Sequence, residues 1–577
     1  MTAHALAGLV LLNVLFLVSG AGLLWFLRGW ETWVDLARLA GLAYLAGVAT
    51  VGSAWVLLLI LGVPFSLWLV VAVPATVGLI GLIGGRSLGR QRPALGSIGA
   101  RRGLVVTALG IAAAGLLLEG FFRSARLSGL EAWDAWSFWI PKAKAIYFFG
   151  GLDEQFFTTL PGSSYPPLVP VLDAAAFQLM GGVDVVTLHV QFWLVGVGFI
   201  WALAGLLSER APGWMVWPFV LLPLVASRIG ERLSIPEADL LLDYFFVLAS
   251  VLVVLWIVDG ARWRLVLATI LLCGMVLTKR EGLLLGALLL AAALVASARQ
   301  WRTTWPALGV SAAVVVVVAA PWRIWYVTHD VAGEGPAEGF VQRDNLEWLW
   351  PSVRRALDVL WDTGYWNLIV PLAVGALILA ALARVAVLVV FFGTLLVFLT
   401  LGGIWATWVF SKPWITGELG GNFIIRFMGS VALLCVAATP LLLSAVWRAA
   451  TADDEREEVR GRVALAAAIV VVPLLAYPLL TLIGGLPRFP TRGECVHVAT
   501  RDADDLEVVY GRLDDPVAAE ELLGKLTRTG FVGNDLAPDN CGRWKVSYDA
   551  IATLAEGMAL AEAAHKAGFD ARVEHER

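Results

Sequence analysis

The feature that most constrains this chain is the length of its apolar runs. Stretches such as Val310–Ala320 and Leu284–Ala296 carry no charged residue over about three helical turns. No water-soluble core of 577 residues needs so many of them, and 59% hydrophobic against 15% charged residues makes lipid the solvent for most of the chain. The runs show no alternation of apolar and polar positions, so the expected elements are helices that satisfy their own backbone amides, rather than a barrel.

Apolar windows of roughly 20 residues predict spans near Ala5–Leu27, Leu36–Gly62, Pro64–Ile83, Gly103–Gly120, Val185–Leu207, Trp214–Ser227 and Leu240–Val258. Further spans are predicted near Leu265–Leu277, Gly282–Ala298, Pro306–Val327, Tyr365–Leu382, Val385–Leu401, Phe427–Trp447 and Val463–Ile483, about fourteen in all. Arginine placement orients them. If the connection with Arg86, Arg90, Arg92, Arg101 and Arg102 is cytoplasmic, alternation also puts inside Arg28, Arg38, Arg210, Arg262, Arg264, Arg299, Arg302, Arg384, Arg448, Arg456, Arg460 and Arg462. Both termini then face outward. The amino end, MTAHALAG, has no basic region ahead of a long apolar run, so an uncleaved first helix is expected.

Under this topology the long connections Phe121–Asp184, Thr328–Gly364 and Gly402–Arg426 lie on the outer face, together with the segment from Pro487. A protein acting on cytoplasmic nucleotides or nucleic acid would show the reverse, and no phosphate-cradling glycine motif is present. The net charge of −4 says little about partners, because charge in a membrane protein matters by face.

From residue 487 charges become dense and apolar runs shorten. Leu506–Gly511, Arg543–Tyr548 and Ala571–Glu574 read as strands, and Val517–Thr529 and Leu554–Ala567 as helices, the order of a soluble α+β, ferredoxin-like domain. Cys495 and Cys541 are either a disulfide or two thiols, while Cys273 and Cys435 read as small core residues.

The first long outer connection carries the strongest chemical signal. It reads EAWDAWSFWIPKAKAIYFFGG, with Asp134 among Trp133, Trp136 and Trp139 and with Glu131 three residues earlier. Pro141 suits the first position of a helix and Gly150–Gly151 its end, and the aromatic stripe with Lys142 and Lys144 suits a helix at headgroup level. Next, SSYPPL brings Tyr165 and two prolines before Leu168–Met180, which is too short to span and reads as a second interfacial helix. The plain alternative is an aromatic belt around an exposed loop charge.

A membrane helix, an outer loop with an early aspartate, a YPPL segment, an interfacial helix and a ladder of spans together resemble the GT-C superfamily of polyprenol-dependent glycosyltransferases. The aminoarabinose-transferase and protein O-mannosyltransferase branch is the nearest likeness, and it covers residues 103–447. The implied division is extra helices over 1–102, a GT-C core over 103–486 with outer loop 121–184, and an extracytoplasmic domain over 487–577. The resemblance implies sugar transfer from a polyprenyl phosphate donor to a cell-envelope glycan, lipid or protein at the outer face of the cytoplasmic membrane. Asp134 matches the position of the general base, because an attacking hydroxyl must lose its proton. Single displacement implies inversion. Family members often carry two adjacent acids there, and this chain has Glu131 and Asp134 instead.

A lipid phosphate needs fixed cations near the outer boundary. Lys279 and Arg280 in TKREG are the first candidates, followed by Arg228 and Arg232 and by Lys412 and Arg426; snorkelling helix anchors are the plain alternative for each. Glu237 and Asp239 read first as ion-pair partners of Arg228 or Arg232, with sugar orientation or metal binding as further roles. No histidine or cysteine spacing assigns a metal, and the resembling branch generally needs none, although a divalent ion stays open. Two competing readings remain: a transporter or lipid flippase, and a noncatalytic scaffold for the terminal domain.

Overall fold

The computed structural model describes residues 2–94, 101–125, 130, 132–230, 232–329, 349–410, 421–451, 506–538, 543–551 and 553–575. The chain divides into two compact units, 1–474 and 475–577.

The first unit is a helical bundle: α1 Ala3–Leu27, α2 Trp33–Arg38, α3 Ala40–Ile60, α4 Leu67–Ser87, α5 Arg101–Ala125, α6 Ile140–Phe149, α7 Glu154–Thr159, α8 Leu168–Met180, α9 Val185–Leu207 and α10 Gly213–Val225. It continues with α11 Ser227–Gly230, α12 Ala238–Asp259, α13 Arg262–Thr278, α14 Glu281–Ala296, α15 Trp301–Thr328, α16 Leu349–Leu360, α17 Thr363–Trp366, α18 Ile369–Leu382, α19 Ala386–Phe410 and α20 Gly421–Thr451. Among the described residues nine helices are long and apolar enough to cross a membrane, or up to ten if the bent pair 349–366 and 369–382 is one span. This is a polytopic membrane protein.

Every predicted span through Phe427–Trp447 coincides with helix, Tyr365–Leu382 with two helices in place of one, whereas Val463–Ile483 lies outside the described residues. The predicted number is larger because apolar windows do not measure helix length. Trp214–Ser227 corresponds to the 13-residue α10, which contains Pro218 and Pro223, and Gly282–Ala298 to the 16-residue α14. The stretch Tyr365–Leu382 is broken at Asn367, whose φ of 52° interrupts the helix.

The N-terminal helices pack within the bundle: α1 packs on α3, α4, α8 and α9, and α3 packs on α9 and α13. Glycine allows the closest approach. A Cβ on Gly20 would lie 1.7 Å from the Ala43 carbonyl oxygen and one on Gly47 would lie 1.9 Å from that of Phe16, so the backbones of α1 and α3 touch. Gly20→Leu is therefore expected to lower the melting temperature of the detergent-solubilised protein, overpacking costing about 1–3 kcal/mol or more against immovable backbone. Gly115→Ala should be neutral, since nothing lies within 4 Å of an added Cβ. Equal melting of both variants would remove the close-packing explanation.

Helix α8 corrects the expectation of an interfacial helix. Its bounds match Leu168–Met180, but all its residues except Gln178 and Leu179 are buried, and it packs against α1, α3, α4, α6, α9 and α13. A short apolar segment cannot span, and here it is covered by protein instead of lying on the headgroups.

Charged connections gather at two ends. At one, Arg28 meets Asp35 at 2.7 Å, Arg38 and Arg264 meet Glu209 at 3.2 and 2.8 Å, and Arg210 meets Asp259 at 2.6 Å. These residues come from three connections that alternation assigns to one face. The other end holds the site described below.

The second unit has strands β1 Leu506–Leu513, β2 Asp535–Pro538, β3 Trp544–Ile551 and β4 Arg572–His575, with α21 Pro516–Arg528 and α22 Leu554–Lys566. The sheet order is β2-β3-β1-β4, all pairs antiparallel, the arrangement of a ferredoxin-like βαββαβ unit. Val508, Tyr510 and Val546 form its core with Leu526 and Ala564. The sequence reading missed β2, a four-residue strand ending in proline with no alternating pattern to show it. Cys495 and Cys541 lie outside the described residues, and Cys273 and Cys435 are buried thiols.

Candidate functional site

Asp239 sits in the first turn of α12, where a carboxylate complements the exposed amides of a helix start. It is 5% exposed and three cations share it. Arg232, from the turn before α12, donates to it at 2.5 Å and also pairs with Glu237. Lys279, at the end of α13, donates at 2.8 Å and lies 3.6 Å from Glu281. Arg426 of α20 lies 3.5 Å away and pairs with Asp134. Residues from four separate segments of the chain are thus joined into one buried network.

The burial has electrostatic consequences. Desolvation pulls the Lys279 ammonium down, but Asp239 and then Glu281 outweigh it and hold its pKa above the usual lysine range. Desolvation also opposes charge on Arg232, and Asp239 with Glu237 more than restores it. Both cations are fixed at every physiological pH.

Asp134 precedes a π-helical turn, Ala135–Trp139, that runs directly into α6. Such turns widen the helix locally and recur at functional sites. Asp134 and Trp139 face inward while Trp133 and Trp136 are about half exposed, their rings 6.4 Å apart. As expected for the sequence, Pro141 lies in the first turn of α6 and Gly150 ends it at φ 70°.

Tyr165 stacks on Trp139 at 5.5 Å, with Lys279 Nζ and Arg280 Cζ each 5.2 Å from its ring centroid. Burial pushes its phenol up to about 12. Arg280 also donates to Ser164 Oγ at 3.4 Å. Lys142 corrects the headgroup expectation: it is 1% exposed, donates to the Gly162 carbonyl at 2.6 Å, and lies over the Phe138 and Phe157 rings. Its place is to pin the 160–165 turn beneath the cluster. Glu131 and Lys412 lie outside the described residues.

A cavity of about 220 Å³ adjoins the network, lined by Arg228, Arg232, Arg426, Asp243 and Trp366 among others. Arg228 lies 5.0 Å from the Tyr365 ring. Asp243, one turn deeper in α12, accepts from Ser430. Asp243, Ser430 and Trp366 were not singled out in the sequence, although an acid inside an apolar run was a usable signal. The same signal marks Asp173 of α8, fully buried, with no hydrogen-bond partner for either carboxylate oxygen among the described residues. Among the described residues no three His, Cys, Asp or Glu side chains gather to hold a metal.

The fold and the charge network define a polytopic helical membrane protein with a polar site built at one end of its bundle. Comparison with known proteins adds no relative: no family model matches the chain, and neither curated proteins nor solved structures give a significant match.

Proposed function

We propose that the membrane unit transfers a sugar from a polyprenyl phosphate donor to an acceptor hydroxyl at the outer face of the cytoplasmic membrane. The observation that carries this reading is the linkage of Asp134, through Arg426, to a cation-lined cavity. In the proposed reaction the acceptor oxygen attacks the anomeric carbon, the bond from that carbon to the phosphate oxygen breaks, and Asp134 takes the hydroxyl proton. Polyprenyl phosphate leaves with the electron pair, and the sugar inverts.

Arg426 couples the two halves of the site. It pairs with Asp134 on lone pairs that the acceptor hydroxyl needs; a donor phosphate in the cavity competes for the guanidinium and releases the carboxylate. Arg228 and Arg232 supply further positive charge at the cavity. Lys279, with Asp239 and Glu281 beside it, acts from behind, and Arg280 with Tyr165 supports that wall. Trp133 and Trp136 offer exposed rings to a sugar or lipid.

A polyprenyl phosphate tests the reading without knowledge of the sugar. It is expected to bind the purified protein at least tenfold more tightly than the matching polyprenol, with Arg426→Ala reducing the difference. Equal binding of phosphate and alcohol would remove the basis for a lipid-phosphate site.

The proposed sidedness puts the Asp239 end and the terminal domain outside. A cysteine at Thr451 should be shielded from an impermeant thiol reagent in intact cells, and one at Asp535 should be labelled; the opposite pattern would overturn the orientation. The terminal domain, an α+β unit without an apolar run, is proposed to position the acceptor.

A transporter is the second reading, favoured by the buried carboxyls Asp173 and Asp243 inside the bundle. Asp243 lies only about 7 Å along α12 from its first residue, by helical rise. Its place beside the cavity is equally served by orienting a sugar. Proton- or ion-coupled flux through liposomes holding the purified protein would favour the transporter.

A further inference from the structure

At the opposite, arginine-rich end of the bundle a second recess is unrelated to the Asp239 network. The end of α12, the start of α13 and the first half of α15 enclose about 970 Å³. Its depth is apolar, walled by Leu265, Val266, Ile270, Val310 and Val314. The hydroxyls on its floor satisfy each other, Thr269 donating to Ser311 at 2.9 Å.

Its mouth differs. Arg262, Gln300 and Thr303 line it, and Arg262 is exposed. Helix α13 begins here at Arg262, with the Asp259 carboxylate accepting from the Ala261 amide at 3.1 Å, and α15 begins at Trp301 directly after a 3-10 turn, Ala298–Gln300; neither N-cap residue, Ala261 or Gln300, accepts through its side chain. Two helix starts thus present backbone amides and the positive ends of their dipoles to one opening. Asp259 also lines it, but Arg210 at 2.6 Å and Arg264 at 2.5 Å neutralise that carboxylate. An apolar trough with a cationic, amide-rich mouth matches an amphiphile with an anionic head.

We infer that this groove seats one anionic phospholipid, its phosphate at the mouth beside Arg262 and the first turn of α15, and its acyl chains along the apolar walls. The volume is in the range of sites that enclose a sizeable ligand. Positive charge between membrane helices close to their ends is the setting in which anionic headgroups are held. A zwitterionic lipid brings the same phosphate but also its own cation, which would meet Arg262, so the site discriminates by headgroup charge.

The test uses the full-length protein in detergent, incubated with palmitoyl-oleoyl phosphatidylglycerol or the matching phosphatidylcholine and examined by native mass spectrometry. One phosphatidylglycerol per chain should be retained, about tenfold in preference to phosphatidylcholine. Arg262→Glu should abolish the preference. Val310→Trp should lower retention of both lipids, and as Val310 is 65% exposed this change fills the groove without disturbing the core. Position is read separately: maleimide alkylation of a Thr303→Cys variant should be slowed by phosphatidylglycerol and not by phosphatidylcholine. Equal retention of the two lipids, full selectivity in Arg262→Glu, or alkylation indifferent to phosphatidylglycerol would each overturn the assignment.

Discussion

Asp134→Asn is expected to lower sugar transfer by about a hundredfold or more while polyprenyl phosphate binding survives. The amide keeps the size of the carboxylate and can still accept a hydrogen bond from Arg426, but it cannot take a proton from an attacking hydroxyl. Arg426 is not stranded by the change, because Asp239 remains 3.5 Å away. The loss should therefore fall on kcat, with little change in donor KM. Arg426→Ala should divide the other way, weakening donor binding, since it removes attraction to an anion present before the reaction begins. Asp134→Asn turning over at the wild-type rate would eliminate Asp134 as base, and with it the proposed step.

Asp239→Asn is expected to be the most destabilising conservative change in the site. The carboxylate is buried and shared by Arg232, Lys279 and Arg426. Removing its charge leaves three neighbouring cations in low dielectric with one counter-ion fewer. Breaking a buried ion pair by deleting one partner costs about 3–5 kcal/mol, because an uncompensated charge stays behind. Loss of monodisperse protein or a large drop in melting temperature in detergent is the expected readout. Adding Lys279→Met should recover part of the loss, since it withdraws one of the stranded charges. By contrast Arg354→Ala, which removes a surface pair with Asp358 at 3.8 Å whose side chains are 79% and 66% exposed, should leave melting unchanged. If Asp239→Asn melts with the wild type, the network is not what fixes these four segments together.

The two substitutions probe different links of the same arrangement. One tests chemistry at a carboxylate whose surroundings otherwise persist, and the other tests whether the surroundings persist at all.

Much of the fold was legible because bilayer burial imposes a one-dimensional rule: a segment must be apolar over a set length, and its backbone must be satisfied within itself. That rule located the spanning helices of the described residues, and capping chemistry placed α6 between Pro141 and Gly150. The terminal domain was legible through the same local signals, apart from the four-residue β2. What the rule does not register is which apolar segments face protein rather than lipid. Helix α8 and the side chain of Lys142 were misplaced for that reason: an amphipathic aromatic stripe looks the same whether its far side meets headgroups or another helix.

The site divides along the same line. Charge at the end of an apolar run is conspicuous in a sequence, and it named Arg228, Arg232, Glu237, Asp239, Lys279, Arg280 and Arg426 as candidates; Asp134 and Tyr165 were named instead from the first long outer loop, with its tryptophans and YPPL segment, and from the resemblance these carry. The expected pairing of Glu237 and Asp239 with Arg232 forms; only the tertiary structure decided that Lys279 and Arg426 join Asp239 as well, that Asp134 meets Arg426 across 292 positions of chain, and that Asp243 and Ser430 pair beside the cavity. The physical reason is that spacing along a helix fixes which face a side chain occupies, while its partner across the bundle depends on how helices cross and pack. The sequence by itself determined that these charges exist at the rim of a membrane bundle; packing determined which of them neutralise one another and which remain turned toward a cavity.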